Sequence, residues 1–179
     1  MFTGIVEEVG KVNTFNDFTL IVECKKILEG IKIGDSISTS GICLTVTNLE
    51  GNKISFDLSE ETINKSIFGK EQEITHVNLE RSATLETRIG GHLVEGHVEE
   101  TGICIEIEKL SESTIITFEV NKNLLENIIE KGYVAIDGTS LTVNKIYDNT
   151  FQVSIIPHTL NETTFKNLKI NQYVNVETD

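Results

Sequence analysis

The sequence has few of the residues that mark a disulfide-linked or zinc-stabilised protein. Its 179 residues include three cysteines, one proline and no tryptophan. Cys24, Cys43 and Cys104 are odd in number and form no Cys-x-x-Cys pair, which argues against a disulfide framework and a structural zinc site. We therefore expect reduced thiols, no bound metal and a cytoplasmic location.

Basic residues are also scarce. Only 15 Lys and Arg face 28 Asp and Glu, and the formal net charge is -13. Because nucleic-acid binding relies on clustered cations at the phosphates, this balance argues against a nucleic-acid partner. The amino terminus has no cationic segment and no apolar run reaches the length of a membrane span, so we expect no membrane partner.

The chain does contain an internal repeat. Gly41-Ile-Cys-Leu-Thr-Val46 aligns with Gly138-Thr-Ser-Leu-Thr-Val143, and the same frame runs without a gap from residues 41–80 to residues 138–177. The start is repeated as well, since residues 4–10 resemble residues 96–102. Such a repeat predicts two tandem domains, residues 1–92 and 93–179, with a shared backbone path and a pocket in each.

Most of each copy is typical of β-strands. Runs rich in Val, Ile, Thr and Phe, separated by turn residues such as Gly51-Asn52 and Asp148-Asn149, predict about six antiparallel strands per copy. Helical spacing is weaker: it predicts one helix from Leu124 to Ile129, a shorter one around Ile27–Ile31, and short turns after Ser59 and Pro157. Closing each sheet into a barrel would remove its exposed edges, so we expect an all-β fold of two barrels.

Several polar residues are candidates for a site. Ser140 and Thr142 are two apart in a strand, so both hydroxyls face one side and would orient a heteroaromatic ligand at a barrel mouth. Cys43 is the counterpart of Ser140, and for Cys43 alone the need for a small residue in the packing of the barrel wall is the favoured explanation. His92 and His97 lie at the glycine-rich entry to the next strand and face opposite sides of it, which argues against a shared metal; we rank His97 above His92.

Four further polar residues each fit either a structural role or a role in the site. Asp137 precedes the Ser140 strand and has either a turn role or a catalytic one. Lys131 either caps helix carbonyls or meets a ligand. Thr62 and Thr159 occupy matched positions, and each would bond a ligand or a turn.

Six motifs, in order along the whole chain, resemble the alpha chain of the riboflavin synthase family. They are Met1-Phe-Thr-Gly-Ile-Val-Glu-Glu8, Gly41-Ile-Cys-Leu-Thr-Val-Thr47, Val77-Asn-Leu-Glu-Arg81, Gly90-Gly-His-Leu-Val-Glu-Gly-His97, Asp137-Gly-Thr-Ser-Leu-Thr-Val143 and Ile156-Pro-His-Thr159. The resemblance implies two tandem, homologous six-stranded antiparallel Greek-key barrels with short helices. It also implies that two molecules of 6,7-dimethyl-8-ribityllumazine exchange a four-carbon unit, giving riboflavin and 5-amino-6-ribitylaminouracil without a cofactor.

The resemblance further implies the site residues. The amino-terminal pocket would use Gly4, Ile5, Val6, Cys43, Leu44, Thr45, Asp57, Leu58, Ser59, Glu60, Glu61 and Thr62. The carboxy-terminal pocket would use Gly96, His97, Val98, Lys131, Ser140, Leu141, Thr142, Ile156, Pro157, His158, Thr159, Leu160 and Asn161. Phe2 and Thr3 would lie near a subunit junction, and Cys43, His97, Ser140, Thr142 and Asp179 would take part in catalysis.

In that family the active site forms between the first barrel of one subunit and the second barrel of its neighbour in a homotrimer, and the chain continues past the equivalent of Asp179 into a helix that joins the subunits. We expect most of the rate to come from holding two lumazines face to face. The alternative is a noncatalytic lumazine- or flavin-binding fluorescent protein of the same family.

Overall fold

A computed structural model describes residues 1–16 and 18–179 and contains two closed six-stranded barrels. The first barrel comprises β1 (Glu8–Asn16), β2 (Thr19–Glu23), β3 (Ser36–Thr39), β4 (Ile42–Glu50), β5 (Lys53–Asp57) and β6 (His76–Arg81). The second comprises β7 (Glu100–Lys109), β8 (Thr114–Glu119), β9 (Tyr133–Ile136), β10 (Thr139–Ile146), β11 (Thr150–Ile155) and β12 (Tyr173–Thr178). The predicted all-β fold class is confirmed.

The two barrels share one Greek-key order. The strands follow one another as β1-β2-β5-β4-β3-β6 and as β10-β11-β8-β7-β12-β9, and every pair is antiparallel. If the strands of the second barrel are numbered with β7 as the first, their order around the ring is the same as in the first barrel. The boundary predicted between residues 92 and 93 falls in the connection from β6 to β7 and stays a prediction.

Each barrel is filled by its own side chains. Leu20, Phe56 and Leu79 are fully or almost fully buried in the first barrel, and Phe118 and Phe151 in the second. Burying a large apolar side chain contributes about 2–3 kcal/mol, so these interiors are packed cores and not ligand cavities.

The short helices follow local signals only in part. Helix α1 (Glu60–Lys65) begins after Ser59, whose hydroxyl accepts a hydrogen bond from the Thr62 N–H, and α3 (Pro157–Glu162) begins at Pro157, as predicted. The helix around residues 27–31 is reduced to a 3-10 turn, Lys26–Leu28.

The predicted helix from Leu124 to Ile129 is wrong in extent. Helix α2 covers only Lys122–Leu125 and is capped by the Asn121 side chain. The Asn127 and Ile128 N–H groups then bond three residues back, so the chain tightens and the α-helix stops. Ile129 is 69% exposed, so the apolar spacing that suggested a longer helix is not one buried face.

Within the described ranges, 1–16 and 18–179, no helix is both long and apolar enough to cross a lipid bilayer.

Candidate functional site

The barrels meet through two extended segments, Phe2–Ile5 and Val94–His97. Phe2 and Val94 exchange both backbone hydrogen bonds, with N to O distances of 2.7 and 3.1 Å. Their side chains are fully buried and pack with Ala135 in a small cluster of their own. This cluster joins the barrels at their boundary, and Phe2 has no exposed surface of its own for a ligand.

Two buried carboxylates hold these segments in place. Glu80 accepts hydrogen bonds from the N–H and hydroxyl of Thr3, both at 2.7 Å, and from the Gly4 N–H at 3.0 Å. Glu177 accepts from the N–H groups of Glu95, Gly96 and His97 at 2.7 to 2.9 Å. Burial raises the pKa of both carboxyl groups, although these donors act in the opposite direction. Glu80 and Glu177 occupy matched positions and each accepts three hydrogen bonds, so the two segments are anchored in a similar way.

Each segment lies against the barrel of the other copy. The Ser140 N–H donates to the Gly4 carbonyl at 2.8 Å, and the Cys43 N–H donates to the Gly96 carbonyl at 2.8 Å. A Cβ on Gly4 would lie 2.5 Å from the Ser140 Cβ, and one on Gly96 would lie 2.7 Å from the Cys43 Cβ. Val98, two residues after Gly96, packs against the first barrel's core.

The family resemblance implied a different grouping of the pocket residues. It assigned the segment beginning at Gly4 to Cys43 and the segment beginning at Gly96 to Ser140. In the structure Gly4 belongs with Ser140 and Gly96 with Cys43. The two copies exchange their first segments, and a comparison of the repeats alone does not reveal this.

The polar pairs face outward from the barrels. In β10, Leu141 and Val143 are buried in the core, whereas Thr142 is exposed and Ser140 is half-buried on the opposite face. In β4, Leu44 is buried while Cys43 is half-buried and Thr45 exposed. The pairs share one side of their strands as predicted, but that side is the outer wall and not a barrel mouth.

A helix flanks each outer face. β4 pairs with β5 at Val46 and Phe56, so residues 57–62 leave the ladder beside Thr45. β10 pairs with β11 at Val143 and Val153, which brings residues 156–161 beside the Ser140 face in the same way. Of these flanking residues, Leu58 is buried, Thr62, Thr159 and Leu160 are half-buried, and Asp57, Ser59, Glu60, Glu61, Ile156, Pro157, His158 and Asn161 are exposed.

Thr62 and Lys131 have structural partners. The Thr62 hydroxyl lies 2.8 Å from the Ser59 hydroxyl, at the start of α1. Lys131 is exposed in a left-handed conformation with φ +67°, and its Nζ donates to the Asn144 side chain at 3.2 Å. These contacts favour local roles for both residues.

The remaining predicted residues lie at the edges of the two faces. The His97 ring is exposed, and its Nδ1 lies 3.1 Å from Oε2 of the Glu95 carboxylate. His97 directly follows Gly96, whose carbonyl accepts the hydrogen bond from Cys43. Ile5 is half-exposed, Val6 is half-buried and Thr3 is buried. Asp179 lies close enough to His92 for its charge to act on that ring.

His92 and Tyr133 also lie at the Ser140 face. From the sequence we ranked His92 below His97, and Tyr133 was not a candidate. His92 lies in the connection before β7, not in a strand, and is 6% exposed. Its Nδ1 is 2.6 Å from the Ser140 Oγ, and its ring stacks on Tyr133 with centroids 5.1 Å apart. Burial lowers the pKa of the His92 imidazole, while the charge of Asp179 acts to raise it. The motif Gly90-Gly91-His92 was the available signal, because Gly91 lets the chain approach Ser140 closely.

Comparison with known proteins identifies the family. A model described as the lumazine binding domain matches residues 3–82 and again residues 95–179. The chain belongs to the riboflavin synthase family of lumazine-binding proteins. Riboflavin synthases of Actinobacillus pleuropneumoniae and Bacillus subtilis (strain 168) are 41% and 37% identical to it over 183 residues, which cover 100% of this chain and 85% of each relative. The riboflavin synthase of Escherichia coli (strain K12) is 38% identical over 100% of this chain and 87% of its own length.

Solved structures from the same family have the same fold. LumP complexed with riboflavin superposes with a TM-score of 0.91 at 27% identity, covering 100% of both chains. LumP complexed with 6,7-dimethyl-8-(1'-D-ribityl) lumazine gives a TM-score of 0.87 at 27% identity, covering 100% of this chain and 99% of the other. Because curated riboflavin synthases match over the full chain, this riboflavin synthase family member is an enzyme, a transferase.

Proposed function

We propose that the chain converts two molecules of 6,7-dimethyl-8-ribityllumazine into riboflavin and 5-amino-6-(D-ribitylamino)uracil. A four-carbon unit passes from one lumazine to the other, and the two products together contain every atom of the two substrates. The reaction therefore needs no oxidant, reductant or cofactor.

The observation that carries this proposal is the pair of matched outer faces. Each combines an outward strand, β4 or β10, with a crossing glycine segment and a following short helix. Donor and acceptor in the proposed reaction are the same compound, so a duplicated site suits it. The reaction needs one lumazine as donor and the other as acceptor, so the two faces should not be identical. They differ in one polar group, because the thiol of Cys43 in the first face corresponds to the hydroxyl of Ser140 in the second.

Apart from Phe2 and Lys131, the site residues implied by the family resemblance divide between the two faces. The first face would use Cys43, Leu44, Thr45, residues 57–62, Gly96, His97 and Val98. The second would use Thr3, Gly4, Ile5, Val6, Ser140, Leu141, Thr142 and residues 156–161, with Asp179 beside it. Hydroxyl, thiol and imidazole groups there would hold the ring carbonyls and carry the proton that leaves the 7-methyl group of one lumazine.

We also propose that a productive pair of faces comes from two chains. Within one chain, two segments lie between β4 and β10. Cys43 of β4 bonds to the segment that contains Gly96 and Val94. That segment bonds to the one that contains Phe2 and Gly4, and Gly4 bonds to Ser140 of β10. Although β4 and β10 begin in contact at Gly41 and Gly138, these two segments separate Cys43 from Ser140, so the faces lie side by side. Two lumazines must stack within about 3.5 Å to react in the proximity regime, which side-by-side faces do not allow. Self-association, as a homotrimer by the family resemblance, would bring the first face of one copy to the second face of another.

The first experiment is to incubate the purified chain with 6,7-dimethyl-8-ribityllumazine alone. We expect riboflavin and the aminouracil to appear in equal amounts without any added cofactor. Ser140→Ala should lower turnover at least about tenfold, since a lost hydrogen bond in a transition state has that order of effect, whereas Ser111→Ala in the exposed turn before β8 should not. Absence of riboflavin with folded, lumazine-binding protein would reject the reaction.

A mixing experiment tests the two-chain site. Cys43→Ala and Ser140→Ala chains are each measured alone and then after mixing under conditions that allow subunits to exchange, with sedimentation on the same samples. We expect the turnover of the mixture to exceed the sum of the turnovers of the two variants. Some pairs of chains then combine an intact first face with an intact second face. Strict additivity in exchanged oligomers, or full activity in a monomer, would reject the arrangement.

LumP suggests the other candidate, a noncatalytic carrier. Its riboflavin complex resembles this chain in structure, but the curated relatives at 37–41% identity are riboflavin synthases, and Cys43, His97, Ser140 and Thr142 are all present here. Tight lumazine binding with no turnover would favour the carrier. A cytoplasmic location remains our expectation and is tested by cell fractionation.

A further inference from the structure

His92 is a buried titratable side chain that packs directly against Ser140 of the second face. The imidazole is 6% exposed, with Ser140 at one edge and Tyr133 against its plane. Gly91 allows this approach, because a Cβ there would lie 2.6 Å from the Ser140 Cβ and 2.4 Å from the Thr3 carbonyl oxygen.

The two ring nitrogens have different surroundings. Nδ1 lies 2.6 Å from the Ser140 Oγ. Nε2 is inaccessible to solvent and has no hydrogen-bond partner among residues 1–16 and 18–179. A neutral imidazole carries its proton on one of these atoms only.

The position of that proton decides what Ser140 does. A buried N–H without an acceptor is rarer and more costly than a buried lone pair without a donor. The proton therefore belongs on Nδ1, from which it is donated to the Ser140 Oγ. The Ser140 hydroxyl hydrogen is then free to be donated outward, where Ser140 is half-buried beside exposed Thr142.

We propose that His92 is a positioning residue which, as the neutral Nδ1–H tautomer, donates to Ser140 and aims the serine hydroxyl at the substrate as a hydrogen-bond donor. In this arrangement His92 does not activate Ser140 as a nucleophile, because its lone pair points away from the hydroxyl. The proposal deepens the proposed function, on which the role of Ser140 rests.

Nitrogen NMR tests the tautomer directly, without reference to activity. In uniformly 15N-labelled full-length protein near pH 7.5, long-range proton–nitrogen spectra distinguish a protonated from an unprotonated ring nitrogen. His92→Asn identifies the His92 signals among the four histidines. We expect a protonated Nδ1 and a bare Nε2. A protonated Nε2 would overturn the proposal, because Nδ1 would then accept from Ser140.

A kinetic double-mutant cycle tests whether His92 acts through Ser140. His92→Leu cannot donate to Ser140, and we expect kcat to fall about tenfold with a smaller change in KM, as for loss of one hydrogen bond. His92→Asn places an amide near the Nδ1 position and should recover most of that loss. In the Ser140→Ala background, His92→Leu should have little further effect. An equal loss in both backgrounds, with thermal unfolding unchanged, would overturn the proposal.

The two tests also separate this inference from the proposed reaction. If the wild-type chain makes no riboflavin, the reaction is rejected, while the NMR result still decides the tautomer and lumazine binding replaces kcat in the cycle. If riboflavin forms but the Nε2 tautomer is found, the reaction stands and the role of His92 is rejected.

Discussion

Asn78 and Asn175 make the same pair of hydrogen bonds in opposite directions across the boundary between the barrels. The Asn78 amide donates to the Asp137 carbonyl and accepts from the Thr164 N–H, both at 2.8 Å. The Asn175 amide donates to the Ser40 carbonyl and accepts from the Ile67 N–H, also at 2.8 Å. Both side chains are buried. The barrels are therefore held by a reciprocal polar lock as well as by the Phe2 and Val94 cluster.

Asn175→Asp tests this lock. The aspartate can still accept from Ile67, but it loses the donor to Ser40 and buries a negative charge. At pH 8 we expect the free energy of unfolding to fall by about 2–4 kcal/mol, measured as a lower urea midpoint. The exposed Asn127 provides a control, since Asn127→Asp should change it by less than about 0.5 kcal/mol. Equal midpoints for the two variants would contradict the lock.

The crossing segments give a second prediction. Gly96 has φ +85° and contacts Cys43, whereas Gly30 has φ +79° and an added Cβ would meet nothing within 4 Å. Alanine at either position costs about 1–2 kcal/mol of backbone strain. Only Gly96→Ala adds a steric clash, worth about 1–3 kcal/mol more. Denaturant unfolding of both variants should show this gap, and equal destabilisation would mean that the segment shifts freely.

Asp137 gives a third prediction, on pH. The side chain is buried and accepts one hydrogen bond from the Asn175 N–H. Burial raises its pKa from 3.8 to about 7, with that bond acting against the change. Between about pH 4 and pH 7 the folded chain retains a proton that the unfolded chain has lost. The stabilisation that the Asp137 carboxyl contributes is therefore fully present below about pH 4 and is lost as the pH rises through 7.

Asp137→Asn removes the ionisation and keeps an acceptor for Asn175. We expect the variant to be little changed at pH 4 and more stable than the wild type at pH 8, by at most about 4 kcal/mol. Thermal unfolding at four pH values, with the exposed Asp148→Asn as control, measures this difference. A difference between variant and wild type that does not grow with pH would show that Asp137 ionises normally in the fold.

Local signals in the sequence were sufficient for most of the fold. β-Branched runs gave the strands, Gly51-Asn52 and Asp148-Asn149 gave two hairpin turns, and Ser59 and Pro157 marked the starts of two helices. Helix α2 was overestimated because Ile128 is buried without being helical.

The site was predictable only to the level of residue types. The outward pairs at Cys43 and Ser140 follow from strand periodicity, but the exchange of Gly4 and Gly96 does not. Either pairing offers similar local contacts, since the copies resemble each other, and only the three-dimensional packing distinguishes them. His92 was ranked low for a similar reason, because its burial depends on a connection that folds back onto Ser140.

The different exposure of the three cysteine thiols gives a final prediction, which concerns ligand binding at the first outer face. Cys24 and Cys104 are buried, and burial raises their pKa to about 12 and about 11, so neither forms a thiolate readily in the folded chain. Cys43 is half-buried on the first outer face. Iodoacetamide at pH 8 should therefore alkylate Cys43 alone in the folded protein and all three thiols in urea, as mass spectrometry can count. Cys43→Ser should show no native labelling. Lumazine should slow the reaction at Cys43 if the ligand covers this face, and unchanged labelling at saturating lumazine would place the ligand elsewhere.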